Sequence, residues 1–260
     1  MKKSESFVGN QRAATLIADA EGLAARRDWR SADPLFLEAV SLDSSPSSRI
    51  AYGVSLSRQE RFFEAISVFT PILDGNDRSA IGVVCHNLAG IYRDVGDFDL
   101  ARRFQWRATL LQDNSGAADL TGMANDAIAE DRYEVAESLL MAACDLNDDI
   151  ELDDADGDLV GSFGLIDAAI NSPEAGVMTL FSAYRRHQAT YDFRGMGIDL
   201  LNMASLFGDV RRYRAQRACL MRARRCFERA PAPFSLGRAA LLLEQFERMQ
   251  TVRAFDSRRN

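Results

Sequence analysis

Histidine and lysine are nearly missing from this 260-residue chain: only His86, His187, Lys2 and Lys3 occur, against 29 arginines. Four cysteines (Cys85, Cys144, Cys219, Cys226) show no CxxC spacing. Cys219 and Cys226 stand seven residues apart, about 10 Å along a helix, which is too far for a disulfide. Buried free thiols are therefore expected. The opening MKKSESFVGNQRAATL has no apolar core behind its lysines, so no secretory signal is expected. No run approaches the ~18 apolar residues of a membrane span. A soluble, cytoplasmic protein is the expectation.

Phosphate-binding and catalytic signatures are equally scarce. There is no P-loop and no GxGxxG behind a strand, and Gly195-Met196-Gly197 is expected to be a loop between helices. Cys85-His86 is the one pair resembling a nucleophile and its base. Adjacent helical residues point about 100° apart, and Cys85 falls on a core position. No catalytic residue, cofactor or metal is assigned, and the chain is not expected to be an enzyme.

No four-to-eight-residue alternation suggests a strand, whereas helical periodicity runs almost throughout. Asn87 to Ala108, NLAGIYRDVGDFDLARRFQWRA, is the clearest copy of a pattern that recurs with a period near 34 residues. Small residues stand where two antiparallel helices approach closely, and large apolar residues fill the gaps between. In the first unit, about 13–46, these are Ala20, Ala32 and Ala39 with Leu16, Leu23, Trp29 and Phe36. Gly53 and Ala65 with Leu56, Phe62 and Phe69 follow in the second. The third has Ala89, Ala101 and Ala108 with Leu88, Tyr92 and Phe98, and Gly96-Asp97 as its turn. Ala124, Ala136 and Ala143 serve the fourth with Leu120, Tyr133 and Leu140. The fifth has Gly164, Gly176 and Ala183 with Val160, Phe163 and Leu180, and its second helix starts at Ser172-Pro173-Glu174. The sixth, about 194–229, turns at Gly208-Asp209.

This pattern resembles the tetratricopeptide repeat (TPR) family over roughly 13–229, most specifically in the third unit. The proline that usually closes such a repeat is replaced by Ser44, Asp77, Asp113 and Asp148. The pentatricopeptide family, of similar repeat length, lacks the small–large–small pattern. The resemblance implies an all-α fold, a right-handed α-solenoid of about six helix–turn–helix repeats plus a C-terminal capping helix. The expected division is a tail over 1–12, the solenoid over 13–229, the capping helix over 230–252 and a second tail over 253–260.

In that family the first helix of each repeat lines a concave groove that holds partner segments. By position the lining here includes Ile17, Glu21, Ile50, Val54, His86, Asn87, Gly90, Arg93, Thr121, Asn125, Leu165, Ile198 and Asn202. Members that clamp a C-terminal carboxylate carry lysine and arginine in their first repeats, where this chain has Ile17, Glu21, Ile50 and Val54. Asn87, Asn125 and Asn202 offer amides, which donate and accept, to an extended peptide backbone, or else pair within the solenoid.

Charge is unevenly spread. Residues 1–183 carry 15 Lys+Arg against 31 Asp+Glu, and 184–260 carry 16 against 7. The segment 147–158, NDDIELDDADGD, is expected to be a solvated loop. Its likeness to a calcium loop fails because Leu152 and Phe163 would stand at the first and last ligand positions. Residues 211–229 form an amphipathic helix by pattern. Arg211, Arg214, Arg222, Arg225 and Arg229 fall within one ~80° arc, bordered by Arg217 and Arg224. Tyr213, Ala215, Cys219, Leu220, Ala223, Cys226 and Phe227 take the other side.

The expected function is a non-catalytic scaffold or adaptor whose groove binds a peptide or helical segment of a partner protein, with the arginine face adding attraction for an acidic segment of that partner. The alternatives are nucleic-acid or anionic-surface binding through that face, and head-to-tail self-association of the acidic and basic halves. Nucleic acid is disfavoured by few interleaved aromatics and by the acidic chain.

Overall fold

The computed structural model describes residues 2–111, 116–146 and 157–256. Within them every regular element is an α-helix: α1 (Lys2–Ala25), α2 (Trp29–Leu42), α3 (Pro46–Arg58), α4 (Phe62–Leu73), α5 (Arg78–Asp94), α6 (Phe98–Leu111), α7 (Ala117–Ala129), α8 (Tyr133–Asp145), α9 (Gly157–Ile170), α10 (Pro173–Ala189), α11 (Phe193–Asp209), α12 (Tyr213–Arg229) and α13 (Pro233–Asp256). Consecutive helices pack as pairs, α1 on α2 through α11 on α12, which makes a helix-pair repeat architecture. The chain divides into two compact units, 1–115 and 116–260.

Small residues set the closeness of each pair. Ala20, Ala32, Ala39, Ala65, Ala89, Ala101 and Ala108 are fully buried in the first unit, as are Ala124, Ala136 and Ala183 in the second. A side-chain carbon at Gly53 would lie 2.3 Å from the Phe69 ring, so only glycine lets α3 approach α4 there. Around these contacts the first unit has a core of Phe36, Leu56, Phe69, Val84, Leu88 and Ile91. The second is built on Leu180, Leu200, Met203, Leu220 and Phe227, with a smaller cluster of Ala124, Leu140 and Ile166. Each large side chain so buried is worth about 1.5–3 kcal/mol.

The turns repeat as closely as the helices. In six of them a residue with positive φ (Arg27, Glu60, Gly96, Asp131, Tyr191 or Arg211) ends one helix. The next residue's amide reaches back five positions, as Asp28 to Leu23 O (3.0 Å), Arg61 to Leu56 O (3.0 Å) and Arg212 to Phe207 O (2.7 Å). This Schellman-type closure satisfies the last carbonyls. An aromatic residue then opens the following helix: Trp29, Phe62, Phe98, Tyr133, Phe193 or Tyr213. The α9–α10 turn instead uses the expected cap, with Ser172 Oγ accepting from the Ala175 amide at 3.1 Å and Pro173 following.

Several sequence expectations are corrected. Residues 2–12 are not a tail but the first half of α1, since the segment holds no proline and only one glycine. The last helix runs from Pro233 to Asp256, past the expected end at 252; residues 257–260 lie outside the described ones. Gly195-Met196-Gly197 is buried inside α11, not a loop: its glycines give close approach to His187 and Phe227 rather than chain reversal. Gly208 and Asp209 are the end of α11, and Arg211 makes the turn. Phe98, expected as filler, is 50% exposed at the first position of α6, although Ala101 three residues on is fully buried. Of the acidic segment 147–158 only Gly157 and Asp158 are described; both belong to α9.

Candidate functional site: two open helical surfaces

In the first unit the first helices α1, α3 and α5 lie side by side. Between them opens a cavity of about 580 Å³ lined by Glu21 and Ala24 of α1, Ile50, Ala51, Val54 and Arg58 of α3, and Val83 of α5. Glu21, Ile50 and Val54, three residues of the expected groove lining, thus share one cavity. Ile50 and Val54 are half-buried against the core below, and Val83 is exposed. Arg61 ties the neighbouring helix pairs behind this surface. Its Nε and Nη2 donate to Glu64 at 2.7 and 2.6 Å, and Nη1 donates to Asp33 of α2, which also accepts from Gln59 at 2.8 Å.

The three asparagines are not gathered into one row. Asn87 is in the first unit, Asn125 and Asn202 are in the second. Asn87 donates to Val83 O in its own helix at 2.8 Å, and Asn125 Oδ1 accepts from Ser162 at 2.8 Å. Asn87 thus holds one bond within α5 and Asn125 one bond from α9 to α7, while Asn202 is half-buried on α11. His86 and Arg93 are half-buried on α5.

The arginine helix is amphipathic as expected, with Leu220, Ala223, Cys226 and Phe227 inward. Arg212 pairs with Glu174 (3.4 Å), Arg217 with Glu247 (3.2 Å) and Arg224 with Glu228 (2.9 Å). Arg229 lays its guanidinium 4.0 Å from the centre of the Phe193 ring. Arg211, Arg214, Arg222 and Arg225 are exposed and join no carboxylate among the described residues. All four cysteines are free, and burial pushes every thiol up from its ordinary value, which removes thiolate character. Cys85 is fully buried, so its neighbour His86 meets no reachable nucleophile there.

No spacing in the sequence points to the charge cluster around buried His187 in the second unit. His187 of α10 is buried, with Nδ1 2.8 Å from Asp199 Oδ2 of α11 and Nε2 3.5 Å from Asp158 Oδ1 of α9. Burial pulls the imidazole down, but its two carboxylate hydrogen bonds outweigh that and push it up to about 10. Burial also pushes Asp199 up, to about 6, with His187 pulling it back. Asp158, hydrogen-bonded by the same ring, is lowered. At neutral pH the cluster is a carboxylate–imidazolium–carboxylate bridge that joins three helices. Among the described residues no group of three or more His, Cys, Asp and Glu is placed to hold a metal ion.

No known family model matches the chain, and no curated protein matches it by sequence. Solved structures do. One is a chain of the APC/C hetero-tetramer Cut9-Hcn1, 13% identical with a TM-score of 0.64, the likeness covering 92% of this chain and 46% of that one. Another is a tetratricopeptide repeat protein from Parabacteroides merdae ATCC 43184, 15% identical with a TM-score of 0.50, over 92% of this chain and 93% of that one. The likeness is one of fold. The chain shares a helical-repeat architecture with both, and it spans about half the length of the first of them. Among the described residues no helix is long and apolar enough to cross a membrane.

Proposed function

We propose that this chain is a non-catalytic, TPR-like α-solenoid scaffold that holds a peptide or helical segment of a partner protein against its first helices. The observation that carries this reading is the cavity across α1, α3 and α5. It is open, apolar along Ile50, Val54 and Val83, and edged by one acid and one base, Glu21 and Arg58. Such a surface can bury a partner's apolar side chains while the two charges fix register. The helical-repeat neighbours support a scaffold role through fold alone, one of them being a chain of a multi-subunit assembly. The asparagine ladder is not part of this reading, because the three residues are divided between two units, with Asn87 donating to Val83 O and Asn125 accepting from Ser162.

The test is affinity capture from native lysate, with and without nuclease, comparing wild type with a Val54→Ser/Val83→Asp variant of matched melting temperature. A protein captured after nuclease treatment and lost in the variant is the expected result. Capture that vanishes with nuclease and ignores the substitutions would instead place binding on the arginine face.

A further inference from the structure

A second surface lies on the other helices of the second unit, independent of the first-helix cavity. Helices α10 and α12 each pack on α11 and leave a trough between them with α11 as its floor. Three openings of about 280, 390 and 370 Å³ adjoin along it. The first two share Val177, Met178 and Phe207, and the last two share Tyr184 and Arg222. The α10 wall runs from Glu174 to Gln188, about 21 Å at 1.5 Å per residue. Met196, Leu200 and Met203 form the floor.

This trough is apolar where a soluble helix would be polar. Met178 is 76% exposed and Phe181 53%, and Phe181 stacks with Tyr184 at 6.1 Å between ring centres. A run of large apolar side chains left open along one groove marks a docking surface rather than a scattered surface hydrophobe. Its ends differ in charge. At one, Glu174 is paired with Arg212. At the other, Arg222, Arg225 and Arg229 converge with Tyr184, Gln188 and Tyr191, and no carboxylate lines the opening. Nearby acids are already bound to Arg217 and Arg224, so this end presents unmatched positive charge.

We propose that this trough docks an amphipathic helix of about four turns from a partner protein, with acidic residues clustered at the end that meets Arg222, Arg225 and Arg229. The dimensions suit one helix ridge laid between two parallel helices. The three guanidiniums supply fork-shaped donors for carboxylates, and Arg229 is held in place over the Phe193 ring. Nucleic acid fits poorly, since its phosphates would leave the long apolar section uncovered.

The test is selection from a display library of ~16-residue helical peptides on the full chain. The expected winners carry apolar residues at i, i+3, i+4 and i+7, with Asp or Glu grouped at one end. A synthetic winner should lose at least about tenfold in affinity against Arg222→Glu/Arg225→Glu and against Met178→Glu/Phe181→Glu, all exposed positions. It should bind the Val54→Ser/Val83→Asp variant unchanged, which separates this surface from the first-helix cavity. Four results overturn the proposal: no enrichment over a scrambled library, winners without an acidic cluster, affinity indifferent to both trough variants, or phosphatidylserine vesicles bound through Arg222 and Arg225 while selected peptides are not.

Discussion

His187 is held from both sides by glycine. An added side-chain carbon at Gly157 would lie 2.3 Å from its ring, and one at Gly195 2.5 Å. The ring therefore occupies a slot that only these two residues leave open, and inside it meets Asp158 and Asp199. Gly195→Ala should destabilise the protein by about 2 kcal/mol or more in denaturant unfolding, since the neighbour cannot retreat without breaking a buried ion pair. Asp199→Asn should cost about 3 kcal/mol for leaving a buried imidazolium half-paired. The pH dependence has a definite sign. Because folding raises the His187 pKa from 6.5 to about 10, the contribution is full below about pH 6.5 and is lost as pH rises towards 10. The melting temperature should fall between pH 7 and pH 9 in wild type and fall less steeply in His187→Gln. The buried thiols, ordinarily near 9.0 and raised further, add to the decline only at the upper end. An NMR midpoint for His187 near 6.5 would show that the bridge does not hold its proton.

At the scale of elements, the turn is the most regular device in the chain. A left-handed residue, a polar residue and an aromatic follow one another at six helix junctions. Only Gly96 is a glycine there; Arg27, Glu60, Asp131, Tyr191 and Arg211 take the same conformation against a steric penalty of about 1 kcal/mol. Arg211→Gly should therefore raise stability by up to about 1 kcal/mol, and Gly96→Ala should lower it by a similar amount. Equal effects of the same sign would contradict the turn geometry. Much of this level was legible from the sequence, because small–large spacing, caps and the Gly96 turn are local signals. Ser172-Pro173 and the alanines at 20, 32, 39, 89, 101 and 108 stand where the pattern put them. What escaped has non-local causes. The His187 bridge joins residues 29 and 12 positions away in sequence. The trough depends on α10 and α12 flanking α11. The Gly195 and Gly197 pair looks like a turn until the ring that each accommodates is known.

At the scale of the molecule, two compact units each carry their own core, and the chain's charge is divided between an acidic stretch to residue 183 and a basic stretch after it. Phe69 is fully buried in the first core, so Phe69→Ala should cost about 3–4 kcal/mol. In a stack of repeats stability is a sum of local terms, so amide protection should drop through α3–α6 while α9–α12 keep theirs. A uniform loss across the chain would contradict that division. The proposed function puts a segment of another protein on the face of α1, α3 and α5. It is tested most directly by placing a photo-crosslinking residue at Val83, which is exposed in the cavity, with Phe63, 91% exposed on α4, as the control position. Crosslinking in native lysate should join Val83, and not Phe63, to one defined segment of a partner protein. Adducts equal at the two positions, or formed with nucleic acid alone, would contradict the account.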